Sequence, residues 1–270
     1  MDDLVAALPG QWRGIFKAAQ VSKGAGTWHS MWKAAGQPAA GSNPPLISAG
    51  SGYVPTASTA GAITLTNPVA PALSYLGRIA MAGTTQGTVI LYDRLWAASG
   101  LNTTLTTAQT VTTPGNLPAG RDPTAGADVE PWLEVYTSGG SVVGNWDITG
   151  VDAAGNTGRT WRYVKPNTTE SIGQMAPLVP GGANPATTMG IRQVTSFTAS
   201  ASSGLAGDVG ITLLRRIVEV PLTASNVAQL FDAFTIGKPR IYDDACIAMM
   251  VLCIGTTTGN LQGSVNIAQG

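Results

Sequence analysis

From residue 78 onward the chain is a succession of short runs rich in β-branched and aromatic residues, cut apart by clusters of Gly, Pro, Asn and Asp. The runs cover residues 88–96, 132–136, 142–149, 159–164, 191–198, 209–220, 241–254 and 264–268. Side chains that crowd the backbone at Cβ fit a pleated sheet, and the punctuating residues supply the turns between strands. Many short strands joined by loops predict a β-sandwich or jelly-roll-like body. Residues 152–156 (Asp152, Ala153, Ala154, Gly155, Asn156) read as the turn of a hairpin between the third and fourth runs.

The first 38 residues differ. They hold three of the seven Trp, the single His and four of the fifteen basic residues. Trp12, Ile15, Phe16 and Ala19 follow the i, i+3, i+4, i+7 spacing of one helix face. Trp28, Met31, Trp32 and Ala35 repeat it, with Thr27 placed to cap a second helix. Residues 34–77 carry no charge and include Asn43, Pro44 and Pro45 in succession, so they read as an extended arm with one strand at 62–66. The expectation is an N-terminal arm over residues 1–60 carrying two short helices, then a mainly β sandwich body over 61–270, as one piece or as two subdomains. Within that body, residues 225–234 read as a helix, with Val227, Leu230, Phe231 and Phe234 on one face.

Charge and composition narrow the function. Charged residues are 11% of the chain and the net charge is zero, against roughly 25% charged in an ordinary soluble domain. Such a surface offers little repulsion between neighbours, which suits life inside an assembly. Fifteen scattered basic residues form no phosphate-binding cluster, so no nucleic acid is expected as partner. No apolar run reaches the roughly 18 residues of a membrane span, and residues 1–8 lack the basic start of a secretory signal. Cys246 and Cys253 would lie about 23 Å apart along a strand, too far to bond, and read as buried free thiols of a reducing compartment.

Chemistry-bearing patterns are sparse. His29 lies between two Trp and reads as a structural polar residue. Glu130 and Glu134 flank Trp132, but on a strand they would stand about 13 Å apart, wider than glycosidase geometry, and read as solvated charges of a strand face. Asp147, Asp152 and Asn156 could gather round calcium, yet their spacing fits no EF-hand loop. No catalytic residue, cofactor or metal is expected.

Tyr92-Asp93-Arg94-Leu95-Trp96, then Ala97, Ala98, Ser99, Gly100 and Leu101, the Thr-rich run 103–113, Leu117 to Asp122, and the closing 259–270 stretch together resemble virion structural proteins of tailed bacteriophages. Within that group the resemblance is to capsid decoration, or cement, proteins. It covers about residues 77–270 and implies a β-fold, no enzymatic activity, the major capsid protein as partner and a homo-oligomer, a trimer being favoured. The location implied is the capsid surface of a virion assembled in the host cytoplasm. Trp12, Phe16, Trp28, Met31 and Trp32 are the candidate anchors at a protein interface, since aromatics dominate interface energetics. Two alternatives share the β vocabulary. One is a tail or fibre component that binds a receptor or glycan. The other is a jelly-roll carbohydrate-active enzyme, with Trp132, Trp146 and Trp161 as sugar-facing aromatics.

Overall fold

The structure, a computed structural model, describes residues 10–47, 52–113 and 117–270. Seventeen strands and no α-helix occur among the described residues. The chain divides into two compact units. The first comprises residues 1–42, 55–93 and 216–270; the second comprises 43–54 and 94–215.

The first unit is built on an open sheet. Its order is β14 (Gln229–Asp232), β4 (Ser74–Gly83), β17 (Leu261–Gln269), β1 (Gln11–Lys17) and β3 (Gly36–Gln37), with β15 (Arg240–Ile241) also on β4. A second ladder places β16 (Ile247–Cys253) between β2 (Thr27–Ser30) and the first half of β5 (Gly87–Asn102). Ile15, Ile79 and Val265 from the open sheet join Val89, Leu91, Met249 and Val251 in one apolar core. Both cysteines are buried free thiols in this unit. Cys253 lies on β16, and its thiol is pushed up to about 11, first by burial, against a smaller opposing effect of Lys23.

The second unit repeats the plan with other strands. Its open sheet runs β11 (Val179–Pro180), β9 (Arg159–Lys165), β8 (Gly144–Asp152), β12 (Ile191–Ala199) and β6 (Gln109–Thr110). Its second ladder sets β7 (Glu130–Thr137) between β10 (Gln174–Pro177) and the first half of β13 (Asp208–Leu222). Trp146, Ile148, Trp161 and Phe197 pack with Leu133, Val135, Val209 and Ile211. The β8–β9 hairpin turns through 152–156 as the sequence implied, with Asp152 Oδ1 accepting from the Asn156 amide at 2.8 Å.

The expected helices are corrected. Residues 11–17 form β1, paired with β17 along all seven residues. The misleading pair is Trp12 and Phe16, because a four-residue spacing shares a face in a strand as well as in a helix. Gly14 stands inside the expected helix, where it costs about 1 kcal/mol relative to Ala, and a helix that short is marginal without packing. A seven-residue ladder that buries Ile15 satisfies the same backbone better. Thr27, the expected cap, lies in β2, and its hydroxyl donates to the Gly24 carbonyl at 2.5 Å. Residues 225–234 hold β14 and turns, with Asn226 left-handed at φ 61°. Of the 62–66 segment only Ile63 pairs, by a single bridge to Ile247.

The N-terminal arm with short helices is therefore absent from the described residues; parts of it, residues 1–9 and 48–51, lie outside them. The charge-free stretch is not one extended segment, since turns interrupt it near 57–61 and 70–71. Leu46 bridges Ser99, Tyr53 bridges Ala97, and the Ser99 hydroxyl donates to the Pro44 carbonyl at 2.7 Å.

Candidate interaction surface

The outward face of the first unit's open sheet carries the exposed sequence-predicted anchors. Along β1, Ile15 and Lys17 point inward, whereas Trp12 and Phe16 point outward and are 48% and 47% exposed. Gly14 lies between them, and a Cβ built there would meet nothing within 4 Å, so the two rings border an open notch. Register extends this face across the sheet in three rows. Trp12 stands beside Asn266, then Arg78, then Asp232. Gly14 stands beside Ser264, then Ala80, then Leu230. Phe16 stands beside Gln262, then Ala82. The Arg78 guanidinium lies 5.9 Å from the Trp12 ring centroid, a stacking distance for a cation on an aromatic face. Leu230 is 52% exposed at the far side. The face thus has an aromatic border, a floor of small residues and one projecting aliphatic side chain.

The other candidate anchors are not on it. Met31 and Trp32 are buried in the first unit's own core. The Trp32 indole donates to the Ser42 carbonyl at 2.9 Å, and Gly41 and Gly61 lie against its ring too closely for any Cβ. Trp28 is half-buried on β2, opposite Leu252. His29 is fully buried. Its Nε2 lies 2.8 Å from the Thr27 hydroxyl, which donates to Gly24, so Nε2 carries the proton. Burial first, then the nearby Lys23 cation, lowers the imidazole to about 4.

Sequence reasoning missed a buried ionic cluster in the second unit. Arg94 donates to Glu134 Oε2 at 2.7 Å and to the Tyr136 hydroxyl at 2.9 Å. The Tyr136 and Thr212 hydroxyls donate to the same carboxylate at 2.8 and 3.0 Å. Arg121 donates to the Arg94 carbonyl at 2.8 Å. Burial and the neighbouring carboxylate push the Tyr136 phenol well up. The expectation of solvated Glu130 and Glu134 is thus corrected. Glu134 is buried in an ion pair, and Glu130 accepts from the Trp132 indole at 3.0 Å. The available signal was Asp93 and Arg94 side by side in an otherwise apolar run, since a buried charge requires a partner.

Asp147 is engaged by Arg162 through two bonds of 2.7 Å, and Asp152 by Asn156 and Thr187. No group of three metal-ligating side chains occurs among the described residues. Trp132, Trp146 and Trp161 are buried at 1%, 1% and 0% exposure, so none can meet a sugar as the structure stands.

No protein-family model matches the chain, and no curated protein matches it. Among solved structures, the chain is similar to that of the infectious bursal disease virus Gt strain at 12% identity and a TM-score of 0.19, covering 96% of this chain and 81% of that one. The VP2 subviral particle of infectious bursal disease virus gives 10% identity and a TM-score of 0.19, covering 96% and 80%. Likeness at that level carries no argument about fold or role.

Proposed function

We propose that the chain is a virion structural protein of the capsid decoration type, which acts by binding protein subunits and performs no catalysis. The observation that carries this reading is the uncovered aromatic face of Trp12 and Phe16, on a chain with only 11% charged residues. A solvent-facing Trp and Phe beside an open notch are suited to a protein partner, since aromatics supply most of the energy at such contacts. The partners of this reading are the major capsid protein and further copies of the chain, on the capsid surface. A decoration protein prefers the mature lattice and stabilises it by mass action, by RT ln(1 + [L]/Kd) at each site.

Immunogold labelling of intact virions with antibody to residues 61–270 tests the location. Gold spread over the heads is expected. Gold confined to the tail would overturn the decoration reading and favour a tail component. Adding the protein to undecorated capsids is expected to raise their melting temperature, and an unchanged temperature would count against lattice binding. Removing residues 1–38 is no clean test of the anchors, because it deletes β1, β2 and β3 from the fold. Trp12→Ser and Phe16→Ser change the surface alone.

A further inference from the structure

We propose that two copies of the chain pair face to face through the outward surface of β14, β4, β17 and β1, with Leu230 of each copy seated in the Gly14 notch of the other. The proposal assigns the Trp12 and Phe16 face to the contact between copies, a two-fold one in place of the trimer the resemblance implied, and rests on none of the capsid part of the reading above.

The four strands place one notch and one knob in the same cross-strand row. Gly14 is on β1, Ser264 and Ala80 follow on β17 and β4, and Leu230 is on β14. A two-fold axis parallel to the strands, midway between β17 and β4, lays β1 of one copy over β14 of the other. Rows stay level under that rotation, so Gly14 comes to face Leu230 and Ser264 comes to face Ala80. The small middle residues let the sheets approach to the roughly 10 Å of packed sheets. The open space at Gly14 receives the Leu230 side chain between Trp12 and Phe16.

Charge selects the same arrangement. Arg78 leans across β17 to stack on Trp12, and no ion pair of Arg78 occurs among the described residues. Trp12 of one copy comes to face Asp232 of the other, so the stacked guanidinium arrives beside that carboxylate. Asp232 Oδ1 is occupied by its own turn, accepting from the Phe234 and Thr235 amides at 3.1 and 3.0 Å. The contact thus has a knob and notch twice, and two Arg78–Asp232 pairs related by symmetry. An isologous contact of this kind needs only one self-complementary surface, and a chain of zero net charge has little long-range repulsion to oppose it.

Sedimentation of the purified full-length chain from about 1 to about 100 µM, a range that spans ordinary transient to stable affinities, reads the dimer directly. Leu230→Asp and Gly14→Leu are each expected to weaken it at least about tenfold, as loss of a central contact does. Arg78→Asp and Asp232→Arg are each expected to weaken it, and mixing the two single variants to restore it, because only a pair between copies is then re-formed. The charge swap keeps the test decisive should a single variant fold poorly. Gly14→Cys combined with Leu230→Cys is expected to give a disulfide-linked dimer. Within one copy the two positions are three strands, about 14 Å, apart and cannot bond. A chain that stays monomeric over the whole range overturns the proposal. So does an oligomer indifferent to all these substitutions, or a cysteine pair that never links copies.

Discussion

The two units bury charge in opposite ways. In the second unit two buried cations face carboxylates: Arg94 faces Glu134 at 2.7 Å, and Lys165 faces Glu170 at 3.2 Å. In the first unit the buried bases do without one. Lys17 donates to the Ala34 and Pro38 carbonyls at 3.1 and 2.8 Å, and His29, bonded to the Thr27 hydroxyl, is held neutral by burial and the nearby Lys23 cation. The difference teaches that carbonyls and hydroxyls can seat a basic group, but only with its proton weakly held. Burial lowers Lys17 to about 8. A paired cation instead makes its partner indispensable, because removing one member leaves the other buried and uncompensated.

That contrast breaks most visibly at Glu134. Glu134→Ala strands Arg94 in the core and is expected to cost about 3–5 kcal/mol, read by urea unfolding of the whole chain. A loss under 1 kcal/mol, small beside the ~3–5 expected of a buried pair, would show that the cluster carries little. Next is acid. His29 folds with its imidazole lowered to about 4 against an ordinary 6.5, so the unfolded chain binds the extra proton. Its contribution is fully present above pH 6.5 and is lost as pH falls toward 4, by about 2–3 kcal/mol. His29→Leu should flatten that part of the stability curve, and an unchanged acid slope would refute the assignment. Lys17 gives the mirror case in base. Between pH 8 and 10.5 the native chain has shed a proton that the unfolded chain keeps, so stability rises with pH through that window. With solvent screening allowed for, the rise is about 1–2 kcal/mol, and Lys17→Met should remove it. The smallest effect belongs to the half-exposed pair. Asp147→Asn removes the charge and one of the two acceptors that hold Arg162, where both side chains reach water, at about 0.5–1 kcal/mol. A loss as large as that of Glu134 would erase the distinction between buried and surface pairs.

The β-body was legible in local sequence. Every run named from residue 88 onward is a strand in whole or part, because β-branched and aromatic crowding is a property of each residue where it stands. The candidate surface was legible only in fragments. Trp12 and Phe16 read as candidate anchors only together with Trp28, Met31 and Trp32, and Leu230 reads as part of a helix face with no relation to them. They share a surface through pairings between residues about 150 or more positions apart, which no window of local periodicity contains. Met31 and Trp32 had the same aromatic and apolar signature as Trp12, and went inward.

By itself, then, the sequence determined a body made mainly of strands, sparsely charged and turn-punctuated, with two thiols that cannot bridge along a strand. Tertiary structure alone decided that residues 11–17 are a strand, which aromatics face water, and that Glu134 lies beneath Arg94. The physical reason is that a four-residue spacing satisfies helix and strand alike. Only the partner strand, supplying seven residues of ladder and a core for Ile15, separates the two.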